Sequence, residues 1–277
     1  MAPGQAHYSH IVWIWMENHS YGSVIGSAFA PFENQVAKQC GLATNYHNVT
    51  HPSLPNYIAA TSGLPASQLG VQKSDCDPSP SCSLGPSVPS IFSQAPSWKG
   101  YAESMPAPCD RGSSGEYAAR HNPAVYYRSL AGVCAADDVN FSAFAQDLAA
   151  GRLPAFSFVT PNLVDDTHDG SVADGDRWLR STLGEITSSQ MYRSGTVAVF
   201  VVWDEGEGGS TSDCATNTTD AGCHVAALVL SASTKTTSGA LFNHYSLLRT
   251  AEELLGLPLL GEAAGAPSMA TAFGLSG

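Results

Sequence analysis

The run from 197 to 202 is apolar at every position, and Trp203 extends it. It is too short for an ordinary helix and rich in β-branched residues, so it reads as a strand. It has no polar/apolar alternation, so both of its faces must be buried. That condition is met when a mostly parallel sheet is covered by helices on both sides. Similar strand signals occur at 11–16, 155–160 and 224–231, with a weaker one at 42–49. Helical patterns lie between them. The stretch 31–40 starts with a Pro and stops before Gly41, and 54–62 is opened by Ser53 and Pro55 and closed by Gly63. Further helices are expected at 141–150, 174–190 and 244–255. The predicted fold is α/β, as one domain over 1–277, and no internal repeat is visible.

From 64 to 133 the pattern changes to Pro, Ser, Gly and Cys with little periodicity. This reads as a loop-rich insertion that is pinned by disulfides and forms part of the site wall. The seven cysteines are Cys40, Cys76, Cys82, Cys109, Cys134, Cys214 and Cys223, and none forms a close CxxC pair. Zinc ligation is therefore the weaker reading and loop-closing disulfides the better one. Near-neighbour pairing would join Cys76 to Cys82, Cys109 to Cys134 and Cys214 to Cys223, leaving Cys40 over. Spacing alone does not decide the pairing. Disulfides imply an oxidising compartment, so the chain is expected to be secreted, extracellular or periplasmic. Its start, Met-Ala-Pro-Gly-Gln, has no signal-peptide pattern and reads as a mature form. No stretch is apolar enough to span a bilayer. With 12 Lys+Arg against 24 Asp+Glu, the net charge of -12 disfavours nucleic acid and anionic membranes as partners. A small phosphate ester remains compatible if a cation inverts the local field.

In open sheets, ligands bind beyond the carboxyl ends of the strands. Polar clusters stand directly after the predicted strands. Glu17-Asn18-His19 follows the first, and His51-Pro-Ser53-Leu-Pro-Asn56 follows the second. Asn162, Asp165, Asp166, His168 and Asp169 follow the third, and Asp204-Glu205 the fourth. Adjacent carboxylates at a buried strand end are costly without a cation or donors. The alternative is a solvated acidic turn. The candidate metal ligands Glu17, Asn18, Ser53, Asp204 and Glu205 offer only oxygen. That suits a divalent cation such as Mg, Mn or Ca, with Zn possible. Ser53 lies where a helix begins, a favourable seat for phosphate. A hydroxyl beside a metal is a nucleophile at modest pH, although Ser before a helix also serves as a cap. His168, His121 and His224 are candidates for phosphate contact or proton donation, against a purely structural role for each. No Gly-x-Ser-x-Gly elbow, Walker loop or HExxH motif is present.

Taken together, Glu17-Asn18-His19-Ser20-Tyr21, His51-Pro-Ser53-Leu-Pro-Asn56-Tyr57, Pro161-Asn162 with His168-Asp169, and Trp203-Asp204-Glu205-Gly206 resemble the phosphoesterase family. That family unites bacterial and fungal acid phosphatases with phosphatidylcholine-type phospholipases C, and its fold is similar to the alkaline phosphatase superfamily. The resemblance implies that Glu17, Asn18, Asp204 and Glu205 bind metal. It implies that Ser53 is the nucleophile and touches the metal, and that Asn56 lies near the phosphate. It also implies a phosphate-contacting or proton-donating His168, with His121 and His224 beside it. Ser rather than Thr at 53 leans toward the phosphatase branch.

The expected activity is metal-dependent hydrolysis of phosphate esters through a phosphoserine, of acid-phosphatase type. The alternative is a phospholipase C-type diesterase acting on phospholipid head groups. For that, Tyr101, Tyr117, Tyr126 and Tyr127 would supply apolar surface, unless they are the insertion's own core. A reading of another class is a secreted, non-catalytic metal-binding protein.

Overall fold

The structure is a computed structural model that describes residues 8–208 and 213–275. Nine strands form one sheet: β1 His10–Met16, β2 Gly41–His47, β3 Trp98–Ala102, β4 Asp138–Asn140, β5 Phe156–Thr160, β6 Val197–Trp203, β7 His224–Leu230, β8 Thr237–Ser238 and β9 Phe242–Asn243. Their order is β4-β3-β5-β1-β6-β7-β2-β8, with β9 also paired to β2. The strands β4, β3, β5, β1 and β6 run parallel. β7 is antiparallel to both β6 and β2, so β2 again points with the majority. The sheet is therefore mostly parallel, as its apolar strands predict. The carboxyl ends of β1, β2, β5 and β6 share one rim.

Every residue of β6 is buried, and β1 and β7 are buried after their first residue. Trp13 and Trp15 of β1 meet Phe156 and Phe158 of β5 in edge and stacked contacts at 4.8–6.2 Å between ring centroids. Each fully buried side chain of this size stabilises the fold by about 1.5–3 kcal/mol through removal of apolar area from water. Helix Val172–Ser188 is capped at both Ser171 and Asp174 in a reciprocal box. Helix Ser53–Ser62 is buried along its whole length and packs against His244–Leu255. Gly63 ends it in a left-handed conformation at φ 71, and an added Cβ there would lie 2.2 Å from the Leu260 carbonyl. Only Gly fits.

The three near-neighbour disulfides all form, and Cys40 is free. One expectation is corrected. The stretch 64–133 is not only loop, because Trp98–Ala102 enters the central sheet beside β5. Its aromatic residues also belong to the core. Tyr101, Tyr117, Tyr126 and Tyr127 are buried, with hydroxyls bonded to Asp147, the Asp110 carbonyl, the Cys76 carbonyl and Thr61. A five-residue strand with a central Gly carries too weak a period to be read locally. Long-range pairing decides it. No helix of the described residues is long and apolar enough to cross a membrane.

Candidate active site

Register builds the rim. Met16 pairs with Trp203 across β1 and β6. The next residues on each strand, Glu17 and Asp204, therefore emerge side by side, tied by the Asp204 amide to the Met16 carbonyl at 3.0 Å. The loop after β5 crosses over them. The Glu17 amide donates to the Asp166 carbonyl at 2.8 Å, and the Thr167 hydroxyl donates to the Glu17 carbonyl at 2.8 Å. Asn18 takes a left-handed φ of 53 and gives its amide to Asp204 Oδ1 at 3.1 Å. Gly206 is required next door. An added Cβ there would meet the Gly222 carbonyl and Ser20 Oγ at 2.7 Å.

Ser53 is the first residue of its helix. Its hydroxyl turns to the carboxylates rather than to the helix amides, 3.1 Å from Glu17 Oε2 and 3.4 Å from Glu205 Oε1. The amide of Leu54 is instead capped by Asp75 Oδ1 at 2.9 Å. The preceding turn, with its cis His51–Pro52 bond, is held by Asn56. Asn56 Oδ1 accepts from the Val49 and Thr50 amides, and Nδ2 donates to the Thr50 and Pro52 carbonyls. Its amide is thus committed to the backbone and shapes the seat of Ser53 from behind. This replaces the expected phosphate contact. His51 Nδ1 stands 2.6 Å from Glu205 Oε2.

The electrostatics are extreme. Glu17 and Asp204 are fully buried. Burial, then the Asp204 and Asp166 charges, drives the Glu17 carboxyl well above the usual range. Burial and then Glu205 do the same to Asp204. Among the described residues, Asp204 Oδ2 is buried with no hydrogen-bond partner. Glu17 Oε1 takes the Tyr57 hydroxyl in a short hydrogen bond. Three carboxylates, an orphaned buried oxygen and a hydroxyl fit a hard divalent cation, which would supply the missing positive charge.

Histidines face this cluster from the other side. His121 Nδ1 lies 2.9 Å from Asp166 Oδ2, and its Nε2 lies 3.2 Å from Glu17 Oε1 without a hydrogen bond of good geometry. Burial first, then Arg120 and His168, pushes His121 well below the ordinary imidazole range. Glu17, His121 and His168 each bring a ligand atom within 4.8 Å of the others. His168 is more open; it meets Asp169 through Nδ1 at 2.7 Å and Arg120 through Nε2 at 3.0 Å. His224 starts β7 on the same rim but is turned away. Its Nε2 lies 3.0 Å from the Thr44 carbonyl, and its ring stacks on Tyr21. That corrects its expected place at the substrate.

Sequence reasoning did not assign roles to Tyr57, Arg120, Asp75 or His244. His244 is buried, accepts from the Tyr46 hydroxyl at Nδ1 at 3.0 Å, and donates from Nε2 to the Asp204 carbonyl at 2.7 Å. Burial holds it near 4, so it is neutral. Only Tyr57 had a signal, one helical turn after Ser53 on the same face.

Residues 27–258 match the family model described as the phosphoesterase family. A phosphatidylinositol-3-phosphatase of Mycobacterium tuberculosis is 32% identical over 96% of this chain and 83% of its own length. An acid phosphatase of Aspergillus fumigatus is 27% identical over 92% of this chain, which spans only 56% of that relative. A protein of the alkaline phosphatase superfamily from Vibrio parahaemolyticus has the same fold, with a TM-score of 0.60 at 14% identity, covering 95% of this chain and 71% of that one. With a buried carboxylate cluster around a serine at the sheet rim, and a family match over most of its length, the chain belongs to the phosphoesterase family, hydrolases acting on phosphoric ester bonds.

Proposed function

We propose that the chain is a phosphomonoesterase of acid-phosphatase type that forms a phosphoserine on Ser53. The observation that carries this reading is the Ser53 hydroxyl, poised at a helix start between Glu17 and Glu205. Glu17, Asn18, Asp204, Glu205 and Ser53 would hold a divalent cation of the Mg, Mn or Ca type, which supplies Lewis-acid polarisation of a phosphoryl oxygen and eases deprotonation of Ser53. As Ser53 attacks phosphorus, its proton passes to the facing Glu17 Oε2. Tyr57 holds Glu17 in position. His244 fixes the Asp204 backbone from below. His168 is a partly exposed imidazole beside the cluster and gives the leaving oxygen its proton. Water then releases phosphate, returning a proton to His168.

The relatives named as phosphatases support a monoester substrate, and the mycobacterial one brings a phosphoinositide within the range of substrates to test. The diesterase reading loses its apolar wall, because the four tyrosines that would furnish it are buried. Three disulfides support export to an oxidising compartment.

The deciding measurement is hydrolysis of p-nitrophenyl phosphate, bis-p-nitrophenyl phosphate and a phospholipid, with and without chelator. Ser53→Ala should lower chelator-sensitive monoester turnover by on the order of 10⁴-fold or more while leaving the melting temperature in place. Full activity in Ser53→Ala would refute the mechanism. A wild type inactive on all three esters with metal supplied would move the metal-binding, non-catalytic reading ahead.

A further inference from the structure

Arg120 belongs to a short turn, Ala119–His121, that overhangs the rim. One of its terminal nitrogens lies 3.0 Å from His168 Nε2, and the opposite ring nitrogen, Nδ1, lies 2.7 Å from Asp169 Oδ1. A guanidinium only donates and an ionised carboxylate only accepts. The proton of His168 therefore sits on Nδ1, and its Nε2 lone pair accepts from Arg120. In this arrangement His168 cannot donate to a leaving group. A proton on Nε2 would face a guanidinium N–H head-on.

Arg120 itself is unusual. It is half-buried in a chain of net charge -12, yet among the described residues no carboxylate oxygen comes within ion-pair distance of it. Arg177, Arg180 and Arg249 have such partners, and the other arginines without one, Arg111, Arg128, Arg152 and Arg193, are exposed to solvent. The Arg120 charge is nonetheless felt across the site, at Asp75, His121 and Asp166. A partly desolvated guanidinium facing a catalytic serine's cluster, with a neutral imidazole as its placeholder, is matched to an oxyanion that arrives from outside.

Resting on the monoesterase reading, we propose that Arg120 is the specificity-determining group, donating to the phosphoryl oxygens that carry the second charge of a phosphate monoester, and that its transfer from His168 to phosphate frees His168 to act as the acid. The guanidinium keeps all its protons and exchanges one acceptor for another. His168 Nε2, now vacated, takes a proton from solvent. The bond from Ser53 Oγ to phosphorus forms as the ester P–O bond breaks, and the electron pair leaves with the alcohol oxygen, which takes the Nε2 proton. In the second half a water oxygen bonds to phosphorus and its proton goes to Nε2. Ser53 leaves and recovers its own proton from Glu17. When phosphate departs and Arg120 returns to His168, Nε2 gives its proton back to solvent, so the sum is ester plus water giving alcohol plus phosphate. A diester has one charge fewer to offer Arg120, so it both binds more weakly there and leaves His168 blocked.

The test compares wild type, Arg120→Ala and Arg120→Lys, metal-supplied, on p-nitrophenyl phosphate and bis-p-nitrophenyl phosphate, with inorganic phosphate binding followed by calorimetry. Arg120→Ala should lower monoester kcat/KM by about 10²–10³-fold, the scale of one lost transition-state donor, and diester kcat/KM by less than about tenfold. Phosphate affinity should weaken in parallel with the monoester loss. Arg120→Lys, which keeps the charge without the fork, should fall between and guards against a folding defect in the Ala variant. Equal losses on both esters, or unchanged phosphate affinity, would overturn the proposal while leaving the phosphomonoesterase reading intact. A wild type that hydrolyses neither ester would overturn both.

Discussion

Two sets of buried carboxyls divide this molecule. In the frame, Glu33, Asp138 and Glu252 are buried, Glu33 with the buried Asp176 beside it. Burial lifts Glu33 and Glu252 to about 8 and Asp138 to about 7, with Asp176 adding to Glu33 and Glu253 to Glu252. Asp138 accepts from Asn122 Nδ2 at 2.8 Å and Glu252 accepts the Leu260 amide at 3.0 Å, while Glu33 Oε2, Asp138 Oδ1 and Glu252 Oε2 are buried without a hydrogen-bond partner among the described residues. Protonation removes the remaining charge. At the rim, Glu17, Asp204 and Glu205 are crowded together; burial first, and then the neighbouring carboxylate charges, raises Glu17 and Asp204. Neutralising them one by one would need several protons in one place, beside a serine. Buried acids of the frame are a matter of stability, whereas the convergent group at the rim fits the cation that the proposed function would place there.

That contrast can be broken experimentally. The largest effect is expected from Asp204→Asn, which should cut monoester turnover by about 10²–10³-fold. The same change should raise the melting temperature of chelator-treated protein, because it removes a buried charge whose Oδ2 has no partner among the described residues. Loss of both activity and metal-free stability would place Asp204 in the frame class instead.

Added divalent metal comes next. At about 100 times its dissociation constant it should raise the wild-type melting temperature by roughly 5–10 °C, and chelator should reverse this. Asp204→Asn should lose most of the shift and Glu33→Gln should keep it. A shift of equal size in all three proteins would put the cation elsewhere.

Smallest is the pH effect of Glu33. Its folded value of about 8 lies above the ordinary 4.5, so the folded chain keeps a proton that the unfolded chain has lost. Stability from this group is full below about 4.5 and declines as pH rises toward 8. The groups around it are Asp176, whose Oδ1 accepts the Phe32 and Glu33 amides, and Arg180, 3.9 Å from Asp176. Glu33→Gln should therefore flatten the thermal pH profile and raise the melting temperature at pH 8 by about 2–4 °C. An unchanged slope would mean that Glu33 ionises freely.

Much of the rim was readable beforehand, for a simple reason. A strand buried on both faces must be apolar, so the first carboxylates after it mark its end. Glu17, Asp204 and Glu205 were found this way, and Ser53 by its place at a helix start. The near-neighbour disulfide pairing was one that spacing offered without deciding, and the folded chain decides it. The errors have equally physical causes. Asn56 was placed at the phosphate because its motif says only that it is near Ser53; four backbone partners decide its direction. His224 was placed with the other histidines because β7 starts at the rim, but its ring turns to Thr44. Trp98–Ala102 was hidden in a Pro- and Ser-rich stretch because five residues carry little period.

The sequence by itself determined the layered α/β architecture and the edge on which the carboxylates and Ser53 gather. These follow from hydrophobic period and residue type, which are local properties. Tertiary structure alone decided that Tyr57 holds Glu17, that His244 supports Asp204, that Asp75 caps the Ser53 helix and that Arg120 occupies His168. Such contacts join residues 21 to 48 positions apart or more. They depend on side-chain direction after the chain has closed on itself, and no window of sequence contains both partners in their final geometry.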